Sequence, residues 1–412
     1  MTKKLLLVIF LYPVFFSASA QKSKVAIKRL PISADCKNAI KISSVKKGNY
    51  GPTAAPKGFG KLKEITACDK QDIFSFEKEH NSAWYYFVVP EDGDAIVEIT
   101  SINPKDDYDF MIYKYTDSCF CDNVMLDYLL PVRTNLSRVG KGGVQMTGLA
   151  YNALRDHVPV GEGEPFSTSL PVKQGEKYFL AVDNVKPQGE GHIIKLYYLK
   201  EISISGAISD DSKQSIKGNV RIENKEGKII SSVPCDENGK YSINAKIKDD
   251  EYYTLIYSAD SFFTECRQIF ITDFSKTNYQ QRELQTTLKK LERGKKFQLT
   301  GINFAKNSAK LLPTSYSSLN SLCEILKEDT LLNIQIEGHV NNPVNPSNTG
   351  ADKKLGLDKA TSIYDYLLSR GIKKERMAAV SYGSLFMIYS KPSTPEQTEA
   401  NNRVEIFFLP KK

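Results

Sequence analysis

The stretch that decides the fold of the last third of the chain is Asn401-Asn402-Arg403-Val404-Glu405-Ile406. Its alternation of polar and apolar residues predicts a final β-strand over residues 403–409. Working backward, alternating or apolar runs predict further strands over residues 297–304, 332–337 and 377–382.

Two amphipathic segments separate these strands. Residues 313–327 place Leu319, Leu322, Cys323 and Leu326 at helical spacing, and a second helix runs over residues 352–369. Gly371 follows that helix at the position where a glycine commonly ends one. The order β-α-β-α-β-β predicts a C-terminal α/β two-layer domain over residues 297–412.

Several motifs in this region carry a family resemblance when they are taken in order. They are Asn303-Phe304-x4-Ala309-x-Leu311, Ile336-Glu337-Gly338-His339, Leu355-x3-Lys359-Ala360, Arg370-Gly371-Ile372, Tyr382-Gly383 and the stretch quoted first. Over residues 285–410 the chain resembles OmpA-like domains, and its whole arrangement looks like envelope proteins of the Bacteroidetes type. Several ordered motifs are far more specific than any one of them.

The resemblance implies a function for this region. OmpA-like domains hold the diaminopimelate of the peptidoglycan stem peptide, with an Asp in a Gly-His-Thr-Asp loop for the ammonium group and an Arg on the next helix for a carboxylate. This sequence has Asn341 and Lys359 at those two positions. The remaining candidate ligand-binding residues are His339, Asp352, Asp358 and Arg403, and either aspartate could supply a replacement acid.

The two substitutions leave two interpretations open. Asn341 can accept a hydrogen bond without offering a charge, and Lys359 keeps its charge without the two-pronged geometry of a guanidinium. The first interpretation is a protein that tethers itself to peptidoglycan through this domain. The alternative is a sugar- or protein-binding envelope module whose OmpA-like domain is degenerate and no longer binds peptidoglycan.

Residues 21–200 have the pattern of an all-β domain. Trp84-Tyr85-Tyr86-Phe87-Val88-Val89 predicts a strand, and we expect residues 95–100 to pair with it as a hairpin. Further strands are expected over residues 110–115, 177–184 and 192–199. A β-sandwich of the jelly-roll type fits this pattern best.

Residues 201–272 predict a second, smaller β unit. The turn Asp236-Glu237-Asn238-Gly239 followed by Lys240-Tyr241 makes the segment resemble carboxypeptidase-regulatory-like domains, which are transthyretin-like β-sandwiches without catalytic activity. We interpret residues 273–296, which are polar with three spaced leucines, as a partly helical linker.

Cysteine positions suggest disulfides. Cys36, Cys68, Cys119 and Cys121 lie in the first third of the chain, and a bond between Cys119 and Cys121 is sterically poor, which leaves the two cross-pairings. Cys235 and Cys266 are either bonded to each other or two buried thiols, and we expect the bond.

Composition excludes several functions. The net charge of +8 arises from interspersed basic and acidic residues, and there is no basic-aromatic motif for nucleic acid. The four histidines lack metal-ligand spacing, and no nucleophile motif joins Ser, Cys and His. The sequence therefore predicts no reaction, no cofactor and no metal. The predicted partners are peptidoglycan and, beyond it, outer-membrane or other envelope proteins.

The N-terminus has the pattern of a secretory signal over residues 1–20. Lys3 and Lys4 precede a short apolar run, and Ala18-Ser19-Ala20 provides a small-x-small cleavage site. The chain is therefore expected to be exported and to reside in the periplasm, associated with the outer membrane.

We expect the mature protein to start at Gln21, because signal peptidase cleaves after the second small residue of such a site. Intact-mass measurement on protein isolated from its native host checks this, and a mass that includes residues 1–20 would contradict it.

Overall fold

The computed structural model describes residues 28–43, 49–65, 74–76, 78–138, 146–187, 189–271 and 282–410. Within these residues the strands form four sheets, and mixed α/β structure is confined to the C-terminal region. The expected signal peptide and Cys68 lie outside the described residues. No helix within the described ranges is both long and apolar enough to cross a membrane.

The first two sheets enclose one hydrophobic core. The six-stranded sheet has, in spatial order, β1 (Ile40–Lys41), β2 (Ser82–Val88), β10 (Lys177–Asn184), β4 (Tyr108–Lys114), β5 (Arg133–Arg138) and β7 (His157–Glu162). The seven-stranded sheet contains β14 (Lys240–Lys248), β11 (His192–Ser209), β3 (Gly93–Ser101), β6 (Met146–Ala150) and β8 (Phe166–Thr168), with β9 (Leu170–Val172) paired to β3 and β17 (Arg282–Thr287) paired to β11. The core residues come from strands of both sheets. The jelly-roll assignment itself stays a prediction.

The predicted hairpin between residues 84–89 and 95–100 is wrong. Strand β2 pairs with β10 and β1, whereas β3 pairs with β11, β6 and β9 in the other sheet. The chain crosses from one sheet to the other between them.

The outer face of the six-stranded sheet is also buried. Trp84, on the face opposite to Tyr85, packs in a second core with Phe120 of helix α1 (Phe120–Met125) and with Phe179. This explains why neighbouring residues of β2 are both fully buried, against the alternation expected for a half-exposed strand. A disulfide between Cys36 and Cys121 fastens this covering layer, with 5.8 Å between the two Cα atoms. This bond belongs to one of the two expected cross-pairings, but that pairing also required a bond of Cys119 to Cys68, and this part is wrong because Cys119 is free and exposed.

The third sheet forms the middle unit. Its strands, in spatial order, are β13 (Ile229–Pro234), β12 (Asn219–Asn224), β15 (Glu251–Ser258) and β16 (Glu265–Ile271). It packs against β11 and β14 through a shared apolar core. The transthyretin-like assignment stays a prediction.

The prediction of a disulfide between Cys235 and Cys266 is wrong, because both thiols are free. Cys235 follows β13 at one edge of the sheet, and Cys266 lies in β16 at the other edge. Three strand spacings of about 4.8 Å each separate these edges, which exceeds the roughly 7 Å limit between Cα atoms of a disulfide.

The expected helical turns between residues 273 and 296 are also wrong where the segment is described. Residues Arg282–Thr287 form strand β17, which pairs in parallel with β11 from Ile204 to Ser209. The polar residues of this segment extend a sheet whose other strands lie far away in the sequence.

The C-terminal sheet follows the predicted order. In space the strands are β18 (Lys296–Gln298), β21 (Val404–Phe408), β19 (Ile334–His339) and β20 (Met377–Gly383). Helices α2 (Tyr316–Glu328) and α3 (Gly350–Ser369) cover one face with a shared apolar core, and Cys323 is a buried free thiol there. A short helix α4 (Pro395–Asn401), which the sequence reasoning missed, precedes β21.

Two buried glutamates stand out in the layer that covers Trp84. Glu64 is 2% exposed and its Oε1 accepts a hydrogen bond from the backbone N–H of Cys36, while Glu79 is 4% exposed and accepts from the N–H of Ile65. Burial raises the pKa of each from 4.5 to about 7, and the charge of Glu64 adds to the effect on Glu79.

We expect these two carboxyl groups to make the protein less stable as the pH rises. The folded state holds protons that the unfolded state has lost between pH 4.5 and about 7, so their stabilisation is complete below that window and is lost above it. Relative to wild type, the double variant Glu64→Gln/Glu79→Gln should gain about 1–3 kcal/mol of unfolding free energy between pH 5 and pH 8. Urea titrations at both pH values measure this difference.

The matched control is Glu164→Gln, which changes an exposed glutamate. Its stability relative to wild type should not depend on pH. A double variant that behaves like this control would contradict the expectation.

Candidate functional site

A cavity of about 400 Å³ opens where the start of the C-terminal region meets helix α4. Its walls are residues 298–304 on one side and Glu396, Glu399, Ala400 and residues 402–404 on the other, with Gln268 of β16 at its rim. The first and last motifs that the sequence singled out contribute Asn303, Phe304 and residues 402–404 to this lining.

Helix α3 is placed against the sheet by two glycines. A Cβ atom on Gly338 would collide with the carbonyl oxygen of Gly356, so helix and strand approach more closely than any side chain would allow. One helical turn further on, this packing places Lys359 at the inner face of the helix.

Lys359 is only 6% exposed. Its Nζ lies 5.2 Å from the ring centre of Phe304, a cavity-lining residue. Burial lowers the pKa of Lys359, and the charge of Glu399, which also lines the cavity, opposes that effect. Within the described part of the chain Lys359 forms no ion pair. Its charge is stabilised by the ring of Phe304 and by the more distant carboxylate of Glu399.

Asn341 reaches the same region from the loop after β19. Its backbone N–H donates to Oδ1 of Asn402 at 3.0 Å, and its own Oδ1 accepts from Nδ2 of the buried Asn401 at 2.8 Å. Asn402 lines the cavity, whereas Asn341 and Lys359 each contact a lining residue and do not line it themselves. The structure therefore brings both predicted residues to the cavity wall.

Arg403 lines the cavity and is tied to the sheet. Its Nε donates to Oε1 of Glu405 at 2.6 Å, and its buried Nη1 has no hydrogen-bond partner among the described residues. The positive charge of this guanidinium group therefore lies beside the cavity, where it can attract an anionic group.

His339 lies on the sheet face opposite to the helices. It is 2% exposed, stacks on Tyr382 and lies 3.7 Å from Glu405 through Nε2. Burial lowers its pKa to about 4, with the Arg403 charge as the second cause, so the imidazole is neutral at pH 7.

The ligand atoms of Glu337, His339 and Glu405 lie within 4.8 Å of one another, a donor set that suits a metal by residue type. Both carboxylates are already paired with cations, because Lys296 lies 2.7 Å from Glu337 and Arg403 lies 2.6 Å from Glu405. A divalent cation would have to compete with these two charges. The cluster is better described as a neutralised network on the sheet.

The two aspartates that were expected as replacement acids have other partners. Asp352 accepts hydrogen bonds from Asn342 and Ser384, and Asp358 pairs with Lys354 on the solvent side of α3. The acids that line the cavity are Glu396 and Glu399, both on α4, and Glu399 is the one whose charge acts on Lys359. Thr394, whose side chain accepts from the N–H of Gln397, and Pro395 at the first helical position form the helix-start signal that could have located this helix.

Comparison with known proteins places this region in a family. Residues 303–403 match the OmpA family. The peptidoglycan-associated lipoprotein of Buchnera aphidicola is 30% identical over 139 residues, which cover 32% of this chain and 68% of that protein. The chain belongs to the OmpA family, as the motifs predicted.

The chain is also similar to two further proteins. The peptidoglycan-binding protein ArfA of Mycobacterium tuberculosis is 33% identical over 105 residues, covering 26% of this chain. The chain spans about a third of the length of ArfA, 31%. Among solved structures, the periplasmic domain of Helicobacter pylori MotB is 15% identical, covers 39% of this chain and 83% of its own, and has a TM-score of 0.26.

Replacing the buried ammonium group should stabilise the fold. We expect Lys359→Met to raise the unfolding free energy at pH 7 by up to about 1 kcal/mol, because a buried cation without an ion pair is replaced by an apolar chain of similar length. Urea titration measures it, with the exposed Lys353→Met as control. A loss of more than about 1 kcal/mol would show that the ammonium group is structural.

Proposed function

We propose that this protein is a non-enzymatic component of the cell envelope that binds peptidoglycan without a covalent bond, through the cavity beside helix α4. The observation that carries the proposal is an OmpA family region in which Glu399 and Arg403 line one cavity and the buried Lys359 lies behind its wall, against Phe304. The matching relatives, a peptidoglycan-associated lipoprotein and a peptidoglycan-binding protein, support it.

The ligand group proposed for the cavity is the zwitterionic end of diaminopimelate in the stem peptide. Glu399 offers a negative charge for its ammonium group, and Arg403 in the wall, with Lys359 behind it, offers positive charge for its carboxylate. Opposite charges held apart on a rigid wall select a molecule that carries both charges. On this proposal Glu399 takes the role that the family gives to an aspartate at the position of Asn341.

We propose that attachment to peptidoglycan holds the two remaining domains where they can contact other proteins. The jelly-roll-like and transthyretin-like units would face outer-membrane or other envelope proteins from a periplasmic position. We further propose that the arrangement is of the Bacteroidetes type and that the mature chain is exported by its signal peptide.

Sedimentation of the full-length protein with purified sacculi at physiological salt tests the proposal. Glu399→Gln should reduce binding at least fivefold, since a charge-assisted hydrogen bond contributes roughly 1.5–3 kcal/mol. Lys359→Met should do the same while leaving the fold intact. Free diaminopimelate should displace the wild-type protein from sacculi.

The matched control is Asp358→Asn, which removes an acid from the same helix that contacts Lys354 in solvent. Its binding should equal that of wild type. Equal binding by all four proteins would show that the cavity is not the site, and no sedimentation of wild type would favour a degenerate domain.

A further inference from the structure

We propose that a second cleft, between the first unit and the middle unit, binds a carboxylate-bearing oligosaccharide. The cleft has a volume of about 830 Å³, within the range of roughly 300–1,000 Å³ typical of small-molecule sites. The cleft and the cavity beside α4 share no lining residue.

The floor of the cleft is the outer face of the seven-stranded sheet. Adjacent strands place Glu98 opposite Lys195, Ile96 opposite Tyr197, and Leu199 opposite Lys248. These side chains alternate with the core residues of the same strands, so all of them point away from the core. The roof is the turn between β12 and β13, which contributes Lys225, Glu226 and Lys228.

The lining carries an excess of positive charge. Five lysines and three glutamates line the cleft, which gives 5 − 3 = +2. Lys225 and Lys248 share one carboxylate, Glu251, at 2.7 and 3.6 Å. Lys228 is exposed and forms no ion pair with any described residue. Lys195 pairs with Glu98 at 3.2 Å, and Lys246 pairs with Asp94 at 2.6 Å. Among the described residues, Lys228 is therefore the lining lysine whose charge stays available to an anionic group.

The same lining also offers ring surface and hydrogen-bond acceptors. Tyr151 is 49% exposed, and Lys246 lies 4.9 Å from the centre of its ring. Lys248 lies 4.6 Å from the ring of Tyr197, whose hydroxyl donates to Glu98. Tyrosine faces pack against sugar rings, and neighbouring carboxylates and ammonium groups together satisfy hydroxyls, which both donate and accept.

The combination of lysines, glutamates and tyrosine rings in the lining distinguishes between classes of ligand. A densely charged polyanion would bring its charges against Glu98, Glu226 and Glu251, which costs free energy. A neutral sugar would leave the excess of lysine charge unused. A saccharide with one carboxylate for every second ring fits both the mixed hydrogen-bonding surface and the modest net charge.

Isothermal titration of the full-length protein at physiological salt tests the proposal. The probe is a hyaluronan hexasaccharide, with chitohexaose as the uncharged counterpart and a heparin hexasaccharide as the densely charged one. We expect the hyaluronan probe to bind at least fivefold more tightly than either of the others. Absence of hyaluronan binding would overturn the proposal, as would tighter binding of heparin.

Two variants locate the binding. Lys228→Glu and Tyr151→Ala change exposed side chains and should each weaken hyaluronan binding at least fivefold. Lys186→Glu makes the same charge change at an exposed lysine outside the cleft and should leave binding unchanged. If Lys186→Glu weakens binding as much as Lys228→Glu does, the attraction is non-specific and the cleft is not the site.

Discussion

Strand β11 pairs with β3 from His192 to Leu199 and with β14 from Leu199 to Ala207 without a break. A continuous backbone ladder therefore runs from the first unit into the strands that complete the core of the middle unit. Because side chains on one face of a strand repeat every second residue, Lys195, Tyr197 and Leu199 are held about 6.6 Å apart along the floor of the cleft. The geometry of the cleft depends on the ladder and not on a flexible joint.

The middle unit is also joined to the C-terminal domain, in this case through side-chain contacts. Phe263 packs inside the C-terminal core, where its ring stacks on Phe297 at 4.8 Å. Nε2 of Gln268 donates to the carbonyl oxygens of Gly301 and Thr314, and Arg221 pairs with Glu324 on α2. The middle unit thus supplies part of the C-terminal core and one edge of the cavity beside α4. The cavity is therefore built from two parts of the chain that the sequence analysis assigned to separate domains.

The sequence predicted the C-terminal region well, since periodic helices, alternating strands and ordered motifs all agree there. It failed where a pairing partner is distant in sequence. Strand β17 is mostly polar, so its sequence does not predict a strand, and it forms because it pairs with β11. The free Cys235 and Cys266 lie at opposite edges of one sheet, which their separation in the sequence does not indicate. For the candidate site, Asn341 and Lys359 followed from the family motifs, but Glu399 did not, because α4 is too short to show a clear periodicity.

The chemistry of the cavity rests on two charges that the fold keeps apart. Lys359 and Glu399 influence each other electrostatically without forming an ion pair, although direct contact would relieve the cost of burying the ammonium group. The Phe304 ring offsets only part of that cost. A methionine would fill the same space more favourably, so stability alone does not account for a lysine here. On the proposed function, two opposite charges held near one cavity without neutralising each other would suit a ligand that carries both charges. This physical argument connects the substituted motif to the proposed binding of a zwitterion.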